Sequence, residues 1–84
     1  MLEGSITGTQ MRAARAVLRW TTATLAEASG VGIATIKRAE VVDGTTSMTK
    51  PNIAAIRAAL EAAGVEFIEQ NGEGPGVRLR HPPA

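Results

Sequence analysis

The sequence contains no cysteine and only one histidine, His81. Without cysteine, the chain forms no disulfides and offers no thiolate ligands to a metal, and a lone histidine in a proline-flanked tail does not supply a ligand set. No apolar run approaches the roughly 18 to 20 residues that cross a bilayer, and the first residues lack the basic and apolar segments of a signal peptide. We therefore expect a cytoplasmic protein without a metal, a cofactor or a membrane span.

The residue patterns of catalysis are also missing. The sequence offers no carboxylate pair in a plausible cleft and no histidine-based nucleophile system. The glycine-rich segment 71–76 lacks the lysine and the following helix of a phosphate-binding loop. We therefore expect that the protein is not an enzyme.

The chain has room for one small domain, and its charge is unevenly distributed. A chain of 84 residues buries only about 60 to 65 % of its unfolded surface, so a partner subunit would add stability. Residues 1–60 carry seven basic and four acidic side chains, giving +3, whereas residues 61–84 carry two basic and four acidic ones, giving −2. A basic front part suits contact with a polyanion.

Capping signals and apolar periodicity predict four short helices. Thr7 and Gln10 have the spacing of a capping box, which starts the first helix, and this helix should end near Trp20. Pro51-Asn52 combines a helix-compatible proline with a capping residue ahead of the last helix. The other three helices are predicted over Ala23–Ala28, Ile33–Glu40 and Ile53–Ala63. The predicted core residues are Leu18, Leu25, Ile36, Ile53, Ile56 and Leu60, with Trp20 as a core anchor at a helix junction.

Two short β-prone runs, Val65–Glu69 and Val77–Arg80, follow the helices and predict a β-hairpin or a pair of edge strands. A hairpin alone is marginally stable in water, so its apolar face has to be covered. Either the same segment of a second subunit or the helices of the same chain can cover it. We favour a two-fold dimer. The predicted interface residues are Val65, Phe67, Ile68, Val77 and Leu79.

Two short helices joined by Ala28-Ser29-Gly30-Val31 form an arrangement that lets the second helix protrude into the DNA major groove. From Thr9 to Leu60 the sequence resembles the Cro/lambda-repressor-like helix-turn-helix proteins, also called the XRE family. The residues that carry the resemblance are Gln10–Arg15, Leu25–Val31, Thr35, Ile36, Arg38 and Glu40. The segment 55–67 also resembles very short bacterial regulators of this family.

The resemblance implies a mainly α, lambda-repressor-like bundle of four short helices, with helix 33–40 presented to base edges. The positions that match base-contacting residues are Ile33, Ala34 and Arg38, and those that match phosphate contacts are Thr22, Thr35 and Lys37. The resemblance also implies an ion pair between Arg15 and Glu40. The planar fork of Arg38 suits guanine, whereas an alanine or isoleucine reaches only a thymine methyl group. For Ile33, packing within the protein is the alternative and the favoured role.

Three further cations, Arg12, Arg19 and Lys50, are predicted to bracket the duplex backbone, the alternative being an ordinary solvated surface. The chain then divides into a flexible N-terminus at 1–6, a helix-turn-helix domain at 7–64, a dimerising β segment at 65–80 and a disordered tail at 81–84. We expect a homodimeric, sequence-specific regulator of double-stranded DNA, acting as a repressor, with its recognition helices about 34 Å apart. The alternative is an antitoxin or another protein-interaction module whose acidic, apolar strand 65–69 binds a partner protein.

Overall fold

The computed structural model describes residues 6–69 and 72–80. The elements in chain order are α1 (Gly8–Leu18), α2 (Thr22–Ser29), α3 (Ile33–Val41), α4 (Lys50–Ala62), β1 (Val65–Ile68) and β2 (Gly76–Leu79). This confirms the predicted fold class, a mainly helical domain of four short helices followed by a C-terminal pair of strands. The predicted tail at 81–84 lies outside the described residues, as does most of the predicted flexible start. Ile6, predicted as part of that start, is buried instead, with 1 % of its surface exposed.

The start of α1 has the capping box that the sequence predicts. Thr7 Oγ1 accepts a hydrogen bond from the backbone N–H of Gln10, and Gln10 Oε1 accepts one from the backbone N–H of Thr7. The helix ends at Leu18, before the predicted end near Trp20, because Arg19 adopts a left-handed backbone conformation with φ of 59°. A left-handed residue cannot continue a right-handed helix.

The start of α4 lies earlier than the predicted Ile53. Thr49 is the N-cap, and its Oγ1 accepts a hydrogen bond from the backbone N–H of Asn52 at 3.3 Å. Asn52, predicted as part of the helix start, is therefore already inside the helix. Pro51 falls in the first turn, where its missing N–H costs no intrahelical bond.

The core lies between the four helices and the inner face of the strand pair. Its buried apolar side chains are Ile6, Met11, Ala14, Leu25, Val31, Ile36, Ala39, Ile56, Leu60, Val65 and Phe67. All six predicted core residues belong to the core or pack against it, and Trp20 also lies at its edge. The helical periodicity therefore identified the buried faces correctly.

The two strands pair antiparallel, with Val65 opposite Leu79 and Phe67 opposite Val77. Val65 has no exposed surface and Phe67 is 9 % exposed, while Val77 and Leu79 are half-buried against the core. The helices α1 and α4 supply this cover.

This packing corrects the predicted subunit interface. The strand face that we assigned to a dimer is covered by the helices of its own chain, so Val65 and Phe67 are inaccessible to a second subunit. Ile68 points away from that face, since it alternates with Phe67 along β1, and it is half-buried. The structure instead has the alternative arrangement, in which the strands fold back on the helices of the same chain.

Candidate nucleic-acid interface

A short turn from Gly30 to Gly32 sets α3 against α2. Gly30 ends α2 in the left-handed conformation, with φ of 78°, and its N–H donates to the carbonyl oxygen of Ala26 at 2.8 Å. Glycine adopts this conformation at little cost. Val31 is buried and anchors the turn in the core, and Gly32 is the N-cap of α3. The turn therefore leaves α3 in contact with both α1 and α2.

Helix α3 has a buried face and an exposed face. Ile36, Ala39 and Glu40 are buried. The exposed face, which we call the outer face of α3, consists of Ile33, Ala34, Lys37, Arg38 and Val41. These positions cover one continuous arc of the helix, because residues three, four and seven apart lie on the same side. The three predicted base-contacting residues therefore lie on one exposed surface.

Val41 belongs to the outer face of α3 but is missing from the predicted site. It is 79 % exposed, the most exposed of the large apolar side chains described, compared with 39 % for Ile33. Its position seven residues after Ala34 places it on the same side of the helix. This spacing is the sequence signal that would have identified it.

A groove of about 320 Å³ runs beside the outer face, between α3 and the start of α4. Arg38 borders the groove, and its Nη2 donates to Thr35 Oγ1 at 3.4 Å. The opposite side carries the hydroxyl and amide side chains of Ser47, Thr49 and Asn52. Polar residues of α3, of the loop before α4 and of α4 itself therefore line the space next to Arg38.

The basic side chains fall into two classes. Four arginines form ion pairs, which are Arg12–Asp43, Arg15–Glu40, Arg57–Glu61 and Arg78–Glu66. Within residues 6–69 and 72–80, no carboxylate lies in ion-pair contact with the remaining basic side chains, which are Arg19, Lys37, Arg38, Lys50 and Arg80. The first four of these are all predicted to contact DNA. Positively charged side chains without an ion-pair partner among the described residues attract a polyanion.

A bidentate ion pair holds α3 against α1. Arg15 Nε and Nη2 donate to the two carboxylate oxygens of Glu40, each at 2.7 Å. Only 7 % of the Glu40 side chain and 21 % of the Arg15 side chain are exposed. The hydrogen bond with Glu40 raises the pKa of Arg15, against the lowering effect of partial burial. This is the pair that the resemblance implies.

Arg12 is engaged within the protein. Its guanidinium donates to the backbone carbonyl oxygens of Glu40 and Val42, and it pairs with Asp43. Because the last carbonyls of a helix have no intrahelical donor, these bonds cap the C-terminal end of α3. The structure therefore engages Arg12 at the end of α3, with 38 % of its side chain still exposed, and its phosphate contact stays a prediction.

The other predicted phosphate contacts lie at element ends or on α3. Thr22 is the first residue of α2 and is half-buried, Lys50 is the first residue of α4 and is exposed, and Arg19 is exposed directly after α1. On α3, Lys37 is exposed and Thr35 is half-buried. The cationic side chains of this set are therefore free to reach a phosphate.

Among the described residues, no three histidine or carboxylate side chains come together as a metal site. No described helix has the length and apolar character needed to span a membrane. Comparison with protein-family models, curated proteins and solved structures finds no match for this chain. The geometry and charge of the outer face of α3 therefore carry the functional conclusion.

Proposed function

We propose that the protein is a sequence-specific regulator that binds double-stranded DNA in the cytoplasm and is not an enzyme. The observation that supports it most is the combination of shape and charge at α3. The Arg15–Glu40 pair holds the short helix α3 near its C-terminal end. The outer face of α3 carries Lys37 and Arg38, which have no acidic partners among the described residues. A helix of this kind fits the major groove.

Each exposed cation has a distinct part in the proposed complex. Arg38 donates two hydrogen bonds to O6 and N7 of a guanine, a contact that discriminates by about 1–3 kcal/mol. Lys37, Arg19 and Lys50 contact phosphates, which position the helix but carry no sequence information. Thr22 and Thr35 add hydroxyl donors to the same backbone. Specificity therefore depends on few side chains and affinity on several.

The proposed regulator is a homodimer and a repressor. The sheet has only two described strands, so each strand has one edge without a described strand partner, and open strand edges are templates for pairing with another chain. The apolar face is already covered, so we place the dimer contact at such an edge. In this proposal the dimer represses by occupying its site, and a two-fold dimer reads a two-fold symmetric site.

Selection of binding sites from a random duplex library tests the proposal. We expect an enriched two-fold symmetric site whose affinity falls as salt rises. Arg38→Ala should relax the preference at one base position. Arg80→Ala is the matched control, because Arg80 is also an exposed arginine but follows β2 and is not part of α3.

One combination of results would contradict the proposal. If no sequence is enriched, and if Arg38→Ala and Arg80→Ala weaken residual binding equally, α3 does not read bases. The alternative function, a module that binds a partner protein through its C-terminal strands, would then replace DNA recognition.

A further inference from the structure

The side chains of α3 limit which bases it can recognise. The helix contains no asparagine, glutamine or aspartate, and its one glutamate, Glu40, is buried in the pair with Arg15. Bidentate recognition of adenine needs an amide side chain, and recognition of the cytosine amino group needs a carboxylate. The outer face of α3 therefore has neither the amide group that reads adenine nor the carboxylate that reads cytosine.

Apart from Lys37, which contacts a phosphate in the proposed complex, the outer face offers one guanidinium among apolar side chains. Arg38 suits guanine, whereas Ile33, Ala34 and Val41 can contact a base only through van der Waals attraction. Thymine is the base with a methyl group in the major groove. The large exposure of Val41, 79 %, gives it apolar surface to bury against such a methyl group, which is favourable.

The spacing along α3 sets the extent of the contact. Ile33 and Val41 lie near its two ends, and at 1.5 Å per residue they are separated by about 12 Å along the axis. This length corresponds to roughly three to four base steps of about 3.4 Å. Arg38 lies between them on the same face, so one arginine is flanked by an apolar contact on each side.

We infer that each half-site is read through thymine methyl groups on both sides of one guanine, with Ile33 and Val41 as the flanking contacts. The inference rests on the proposed function, since it specifies the DNA sequence that the same helix selects. It makes Val41 a specificity-determining residue, although this side chain forms no hydrogen bond.

Replacing single thymines with deoxyuridine tests the inference directly. The probe is the duplex that the selection enriches, and deoxyuridine removes only the C5 methyl group. At each contacted thymine we expect about a four-fold loss of affinity, the fold-change that corresponds to burying one methyl-sized group. Val41→Ala should abolish the difference between thymine and deoxyuridine at one flanking position, and Ile33→Ala at the other.

Val17→Ala is the matched control for Val41→Ala. Val17 is also an exposed valine, at 40 %, but it lies on α1, so the thymine preference should persist in this variant. If an enriched duplex binds equally well with deoxyuridine at every position, and Val41→Ala behaves as Val17→Ala does, the inference is wrong while DNA binding stands. If no duplex is enriched, the proposed function itself fails, and the inference fails with it.

Discussion

Gln10 of α1 donates from its side-chain nitrogen to the carbonyl oxygen of Gly76 at the start of β2, at 3.0 Å. The same nitrogen donates to the carbonyl oxygen of Ile68 at 3.2 Å, and its amide oxygen accepts from the backbone N–H of Thr7. Ile68 and Gly76 face each other in the strand pair. One buried side chain, 4 % exposed, therefore joins the start of α1 to both strands.

Gln10→Ala is expected to loosen the strand pair specifically. The change leaves polar backbone groups of Thr7, Ile68 and Gly76 without this partner, which costs about 1–3 kcal/mol. Urea denaturation measures the loss of stability, and hydrogen exchange of the strand amides locates it. Thr49→Ala, which removes the cap of α4 at a cost of about 1 kcal/mol, is the control. Equal acceleration of strand exchange in both variants would contradict the role of Gln10.

The burial of Phe67 predicts a loss of stability that does not depend on protein concentration. Its ring packs in the core and lies under the guanidinium of Arg57, 5.1 Å from the ring centroid. Phe67→Ala should cost about 3–5 kcal/mol, whereas Ile68→Ala, on the other face of β1, should cost less. Thermal unfolding over a range of protein concentrations is the measurement. A loss that grows on dilution would place Phe67 in a subunit contact after all.

The features that the sequence predicted well depend on neighbouring residues. The capping box of Thr7 and Gln10 joins groups three positions apart, and Gly30 acts through its own backbone conformation. The exposed face of α3 also follows from helical spacing. Local chemistry of this kind is present in the sequence itself.

The features that the sequence missed depend on distant contacts. The second role of Gln10 appears only when residues 68 and 76 come within reach, and Arg12 meets the end of α3 only after α1 and α3 have packed. The strand pair could likewise be covered by a second subunit or by the helices of the same chain, and the strand pattern alone does not decide between them. At the start of α4, Thr49 and Asn52 both suit a cap, and composition does not decide between them.

Gly8 marks a close approach between the start of α1 and the end of α3. A Cβ atom at this position would overlap the carbonyl oxygen of Val42 and lie 2.6 Å from that of Ala39. Both obstacles are backbone atoms, so a rotamer change cannot relieve them. Gly8→Ala should therefore destabilise the protein by about 3 kcal/mol. Gly44→Ala is the control, because a Cβ there meets no atom within 4 Å; equal midpoints of urea unfolding would refute the close approach.

The ion pair of Arg15 and Glu40 predicts a large difference between two glutamates. Glu40→Gln leaves a largely buried guanidinium without its counter-charge, which costs about 3–5 kcal/mol. Glu66→Gln breaks the exposed pair with Arg78 and should cost at most about 1 kcal/mol. Because the pKa of Arg15 is raised, the ion pair contributes fully to the free energy of unfolding below the ordinary arginine pKa. This contribution is lost only at pH values above it. The difference in stability between the two variants, measured by chemical denaturation, should therefore persist at mildly alkaline pH. Similar losses of stability in both variants would show that the buried pair contributes no more than the exposed one.

We predict that Lys50 affects the salt dependence of DNA binding and that Arg12 does not. Lys50 is exposed and has no carboxylate in ion-pair contact within the described chain, so Lys50→Ala should reduce the slope of log affinity against log salt by about 1. Arg12 bonds the end of α3, so Arg12→Ala should lower stability by about 1.5–3 kcal/mol, as expected for lost charge-assisted bonds, and leave the slope unchanged. Affinity titrations at several salt concentrations, with denaturation of the free proteins, separate the two effects. An equal change of slope in both variants would show that Arg12 leaves α3 and reaches a phosphate in the complex.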